Sequence, residues 1–256
     1  MAPAQRSPKP QRAASTPSVD QREVEKFAAL AGEWWDPEGK FAPLHKLNPV
    51  RLAFIRDAAL RHFMRDRTAL APFSGLSLLD VGCGGGLVAE PISRQGFDVL
   101  GIDAAEENVA VAAAHACEMA APPSYRWAPA EELVAERHSF DVVLALEILE
   151  HVADRGDFLK TCSHLLKPGG LIVLATLNRT FKSLALAKFG AEYVLRWLPP
   201  DTHDWNKFVS PAVLSAELGD LGIVVTELRG ITFDLLAWKW RLSADTGVNY
   251  IIAATK

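Results

Sequence analysis

Glu147, Glu150 and His151 stand at i, i+3 and i+4 directly after the apolar run of residues 140–146. If the chain turns helical there, two carboxylates and an imidazole share one face and reach a single point. Carboxylate oxygens suit Mg²⁺, which takes one or two protein carboxylates and keeps most of its waters, and an imidazole also admits Zn²⁺ or another transition metal. Alternatively, the three residues form helix-terminal ion pairs and His151 alone works as a general base. A second group lies upstream. Leu78-Leu79-Asp80-Val81-Gly82-Cys83-Gly84-Gly85-Gly86 begins as a short apolar run and breaks into glycines. Glycines let backbone approach a ligand closely, and the amides of a helix N-terminus behind them receive the polar groups of a nucleoside. A glycine loop alone is as readily a helix cap, but Asp103 ends the next apolar run about 20 residues on, the distance at which a carboxylate reaches ribose hydroxyls. The spacing counts against NAD: its fingerprint wants a third glycine where Leu87 stands, whereas Gly82, Gly84 and Gly86 occupy every second position.

These residues need a scaffold that brings strand ends together. Short apolar runs predict strands at 77–81, 98–102, 125–128, 140–146, 170–176, 223–228 and 248–253, with helical patterns between most of them. Alternation of this kind makes a parallel, doubly wound sheet, and the last two strands, with no helix between them, add a terminal antiparallel strand. Ligands then bind beyond the carboxyl ends of the strands, where Gly82, Asp103 and Glu147 all fall. Residues 24–70 read as helical. Asn48-Pro49 opens a helix whose buried face is Leu52, Ile55, Ala59 and Phe63, with Arg51, Arg56 and Arg61 pointing elsewhere. Arg51, in that first turn, gains nothing from the helix dipole, so an anion from elsewhere is expected to hold it. Residues 1–20 are the disordered basic tail, 21–75 the helical lid and 76–256 the main domain.

Composition sets the limits. A chain of 256 residues, 49% hydrophobic and 23% charged, buries a full α/β core. Its 27 basic and 31 acidic residues leave a formal charge of −4, so no basic field points to nucleic acid. Cys83, Cys117 and Cys162 lack paired metal-ligand spacing and suit a reducing compartment, with Cys83 a space-filler. No run approaches a transmembrane length and no secretory core is present, which makes the cytoplasm the expected location; the basic, acid-poor tail also admits a mitochondrial transit peptide, against which its prolines speak. Residues 178–207 form an insert between the fifth and sixth strands. Phe181, Leu184, Leu186, Phe189, Val194, Leu195, Trp197 and Leu198, with Arg179, Lys182, Lys188 and Arg196, give it the character of an amphipathic segment at an anionic bilayer or, failing that, of a lid over the pocket.

The glycine turn opened by Asp80, the acid Asp103 and the Lys167-Pro168-Gly169-Gly170 turn before the fifth strand together resemble the class I S-adenosylmethionine (SAM) methyltransferases. Trp34-Trp35-Asp36, Pro43-Leu44-His45-Lys46-Leu47-Asn48-Pro49-Val50-Arg51, Glu147-Ile148-Leu149-Glu150-His151-Val152, Thr176-Leu177-Asn178-Arg179 and Gly190-Ala191-Glu192-Tyr193 narrow the resemblance to the ubiquinone-biosynthesis O-methyltransferases. That resemblance implies a Rossmann-like fold with a seven-stranded, mostly parallel sheet, and methyl transfer from SAM to phenolic hydroxyls of polyprenylated catechols and 3-demethylubiquinol. It implies SAM contacts at Arg51, Gly82, Asp103 and Leu146, the last a position where methionine is also common. It implies a divalent metal, Mg²⁺ or another, on Glu147, Glu150 and His151, with Glu150 and His151 catalytic. A substrate of this kind implies peripheral contact with the inner membrane and with other proteins of the same pathway. The alternatives are methylation of another small phenol or a carbon, or a non-catalytic SAM-binding subunit.

Overall fold

The computed structural model describes residues 18–180, 183, 207–234, 237 and 239–256. Residues 1–17 of the 1–20 tail and nearly all of the insert fall outside the described residues. Eight strands form one sheet: β1 Ser77–Val81, β2 Asp98–Asp103, β3 Ser124–Trp127, β4 Phe140–Leu146, β5 Leu166–Leu177, β6 Val224–Asp234, β7 Lys239–Ser243 and β8 Asn249–Thr255. Their order is β3-β2-β1-β4-β5-β8-β6-β7. β1 to β5 pair in parallel, and β8 runs antiparallel between β5 and β6. The sheet is thus the Rossmann-like one expected, with one strand more. β7 is the addition, an edge strand antiparallel to β6.

The central strands read as unbroken apolar runs because both of their faces are covered. Leu79, Val143 and Ile172 pack on one face with Leu133 of α5 (Ala130–Ala135), Leu159 of α6 (Arg155–Leu165) and Leu214 of α7 (Pro211–Asp220). Leu78, Leu144 and Val173, one residue out of phase, pack on the other with Phe54, Ile55 and Ala59 of α2 (Ala42–His62) and Ile92 of α3 (Ala89–Ser93). α4 (Glu106–Ala116) follows β2. In front of α2, α1 (Gln21–Ala28), capped by the Asp20 carboxylate on the Arg22 amide, and a 3-10 turn over Ala31–Glu33 lie across the glycine turn.

Two local expectations are corrected. α2 begins at Ala42, not at Asn48-Pro49: Pro43 occupies the first turn, where a missing N–H costs nothing, and Pro49 sits inside the helix at the loss of one hydrogen bond. Arg51 therefore lies two turns into α2 and does not point away from the core; it is 3% exposed. Among the described residues no helix is long and apolar enough to cross a membrane.

Candidate active site

β1 delivers the chain to the glycine turn, and the turn needs glycine for more than one reason. Gly82, Gly84 and Gly86 have φ of 73°, 53° and 87°, the left-handed region that side chains avoid. The amides of Gly82 and Cys83 both donate to the Ile102 carbonyl, at 2.8 and 2.9 Å, tying the turn to the end of β2. What crowds Gly84 and Gly85 is the indole of Trp34, which would overlap a Cβ at either position. Trp34 Nε1 donates to Asn108 Oδ1 at 2.8 Å and Trp35 Nε1 to the Gly85 carbonyl at 2.9 Å, so the Trp-Trp pair clamps the lid onto the turn.

Asp103 completes that turn. Its Oδ2 accepts from the Gly84 amide at 2.9 Å, and its Oδ1 accepts from the Ala105 amide at 2.9 Å and from Asn108 Nδ2 at 3.2 Å. Two acceptor positions per oxygen leave Oδ2 one for a ligand hydroxyl. Burial lifts the carboxyl above its ordinary range, against these three bonds.

Below the turn lies a charged floor. Asp80 is 3% exposed, its Oδ2 has no partner, and burial pushes its pKa up to about 7, with Arg51 opposing the rise and Asp103 adding to it. Burial likewise lowers the pKa of the Arg51 guanidinium, and the charges of Glu147 and Asp80 resist it. Arg51 Nη2 donates to Asn48 Oδ1 at 3.1 Å, and Asn48 in turn donates to the Leu87 carbonyl at 2.6 Å. Asp80 and Glu147 are thus the acids whose charge bears on Arg51.

The end of β4 departs from the helical expectation. The Glu147 amide still donates to the Ala175 carbonyl of β5, at 2.8 Å, so the sheet ladder continues past Leu146; Glu147 then takes φ 53° and the chain turns. No helix starts until Asp154 caps α6 with its carboxylate on the Asp157 amide. Glu147, Glu150 and His151 therefore do not share a helix face. Glu150, 3% exposed, turns inward, where its Oε2 accepts from Thr176 Oγ1 at 2.7 Å. His151 turns outward to α1: its Nδ1 lies 2.8 Å from Glu23 Oε2, and Phe27 packs edge-on at 5.0 Å. Glu23 and Phe27 are one turn apart on α1, so a single face of the lid holds the imidazole. The bond from His151 keeps the Glu23 carboxyl below its ordinary range.

All of these elements open on one cavity of about 820 Å³. Arg51, Gly82, Asp103, Leu146, Glu147, Glu150 and His151, each singled out in the sequence, line it. So do Glu23, Trp34 and Asn108, which sequence reasoning did not assign to the site.

A model of the Methyltransferase domain family matches residues 79–174, the glycine turn through β5. The ubiquinone biosynthesis O-methyltransferase of Caulobacter vibrioides is 55% identical over 245 residues, covering 95% of this chain and 97% of that one. The enzyme of the same name from Azorhizobium caulinodans is 52% identical over 241 residues, 94% and 95% of the two chains. This chain belongs to the ubiquinone biosynthesis O-methyltransferase family. Among solved structures, the magnesium protoporphyrin IX methyltransferase of Synechocystis with bound SAM superposes with a TM-score of 0.59 at 16% identity, covering 94% of this chain and all 100% of that one. At such identity the match speaks for the fold, which is that of the class I methyltransferases.

The metal that the family resemblance implies can be tested on the donor atoms. Glu147 Oε1 and Glu150 Oε1 are both buried without a partner, although part of Glu147 is accessible. Burial, and next the charge of Glu150, push the Glu147 pKa up to about 7, with Arg51 and His151 opposing. Two orphaned carboxylate oxygens fit a hard divalent ion that completes its shell with water. His151 turns its Nδ1 to Glu23, and among the described residues no three His, Cys, Asp or Glu side chains form a metal-holding group.

Proposed function

We propose that the chain transfers a methyl group from SAM to a phenolic oxygen of polyprenylated catechol and demethyl-quinol intermediates of ubiquinone biosynthesis. The observation that carries this reading is that one cavity joins the Gly82–Asp103 turn, suited to a nucleoside, to an imidazole held by a carboxylate. Asp103 accepts from the ribose through its remaining Oδ2 position, Gly82 lets the cofactor approach, and Leu146 and Arg51 bound its methionine end. Asp103→Ala is expected to weaken SAM binding ten- to a hundredfold, because a charged acceptor is worth roughly 1.5 to 3 kcal/mol, and calorimetry reads the change.

A phenol ionises near pH 10, so about one part in a thousand is nucleophilic at neutral pH, and full activation is worth about 4 kcal/mol. His151 is the base this reading assigns. Glu23 sets its ring orientation through Nδ1, and this reading assigns the phenolic proton to Nε2. Glu147 and Glu150 would hold a divalent ion, which as a Lewis acid lowers the phenol's pKa. Methyl transfer to a short-chain prenyl catechol, followed by mass in wild type and in His151→Ala, tests the reading; an unimpaired variant removes the base. Chelator in the same assay tests the ion, with Mg²⁺ expected to restore turnover and SAM affinity expected to stay constant.

The basic and apolar composition of residues 178–207 supports peripheral contact with the cytoplasmic face of an anionic inner membrane, where a polyprenyl chain is found.

A further inference from the structure

β7, the strand absent from the expected sheet, forms a wall of the cavity that the chemistry above leaves unused. Trp240 on β7 is the cross-strand partner of Phe233 on β6; the rings meet edge to face at 5.3 Å and 66°. Both line the cavity that also holds Asp103 and His151. Trp240 Nε1 is buried and has no hydrogen-bond partner. On β8, Asn249 pairs with Ile231 of β6, two residues from Phe233, which puts its side chain on the same sheet face as the aromatic pair. Asn249 Oδ1 is also buried without a partner and lines the same cavity. A buried polar atom left unpaired is costly, and phenylalanine would supply the same ring face without that cost. One indole donor and one amide acceptor on an aromatic, apolar wall are complementary to a ring that carries several neutral oxygens. They do not suit an anion: the β7 cation that lines the cavity, Arg241, already faces Asp234 at 3.7 Å.

We propose that Trp240, Phe233 and Asn249 form the subsite for the acceptor's aromatic ring, resting on the reading that the acceptor is a prenylated phenol. The ring packs against Phe233 and Trp240. Trp240 Nε1 donates to a ring oxygen beyond the two that a catechol carries, and Asn249 Oδ1 accepts from a ring hydroxyl. The subsite therefore selects polyoxygenated quinols over simple catechols.

Trp240→Phe keeps the ring and deletes only the donor. The experiment compares kcat/KM of the full-length wild type and this variant on two short-chain prenyl substrates, a catechol and a quinol bearing the additional ring oxygens, with SAM affinity by calorimetry as the check on folding. Wild type is expected to prefer the quinol, and Trp240→Phe to shift the ratio of kcat/KM about tenfold toward the catechol, chiefly through KM for the quinol. Phe233→Leu, which removes a ring that both substrates would meet, should raise KM for both. An unchanged ratio in Trp240→Phe, in an enzyme that turns over both compounds, overturns the subsite alone. A wild type that methylates neither compound overturns the substrate reading and the subsite with it.

Discussion

Asp80 shows how the site is prepared at the expense of the fold. In the unfolded chain its carboxyl ionises near the ordinary 3.8, and in the fold burial moves it to about 7. Between those values the native state keeps a proton that the unfolded chain has lost, so this group's contribution to stability declines as pH rises through the window and levels off above it. Urea midpoints measured at about pH 5 and about pH 8 should fall in the wild type and fall less in Asp80→Asn, which is isosteric and uncharged. Glu23 illustrates a different role. Its bond to His151 joins residues far apart in sequence, and nothing in the local pattern of Gln21-Arg22-Glu23-Val24 marks it as functional; only the docking of α1 brings it to the site. The placement of Asp103 and Gly82 at one turn was legible because it is local: a strand end, a turn and a fixed spacing. If Glu23 orients the imidazole, Glu23→Ala should lower kcat for methyl transfer about ten- to hundredfold with the KM for SAM unchanged, and Glu23→Gln, which still accepts from Nδ1–H, should recover part of it.

The lid and the glycine turn act as one element. Trp34 lies where a Cβ on Gly84 or Gly85 would be, and the backbone of Gly84 is left-handed as well, so position 84 excludes side chains on two counts. Gly84→Ala should destabilise the protein by roughly 2 kcal/mol or more and weaken SAM binding, by urea denaturation and calorimetry respectively. Adding Trp34→Ala separates the counts: if the indole sets the cost, the double variant is less destabilised than the sum of the singles, and if backbone strain sets it, the two losses add. Element boundaries were the weaker part of the sequence reading, for identifiable reasons. Asn48-Pro49 looks like a helix start, but Pro43 occupies the position where proline is tolerated, and packing of Phe54 and Ile55 carries the helix through Pro49. The Glu-Ile-Leu-Glu-His run has helical spacing, yet the continued pairing with β5 and the cap at Asp154 decide against a helix there. β7 did carry a signal, the alternation of Lys239 and Arg241 with Trp240 and Leu242, and it is the short, charged kind of strand that sheets place at an edge.

At the scale of the molecule, the sheet was legible because strands covered on both faces must be apolar at every position, and runs such as Val142-Val143-Leu144-Ala145 leave little else to be. The insert is a different kind of segment: its composition, not a spacing or a motif, carries its reading. Its large apolar residues and its Lys and Arg surplus suit an enzyme whose substrate is dissolved in a bilayer, since each basic residue near an anionic surface contributes about 1 kcal/mol before screening. Wild-type protein is therefore expected to sediment with anionic vesicles, less so as salt rises, and Lys182→Glu with Lys188→Glu together should release it. A lid would behave otherwise. It would leave sedimentation unchanged in the double variant and impair turnover on a short, soluble catechol that never enters a membrane. If wild type and double variant sediment alike, the membrane role is lost; if sedimentation falls while turnover of the soluble catechol holds, residues 178–207 deliver the enzyme to the lipid and leave the chemistry to the cavity between α1 and the sheet.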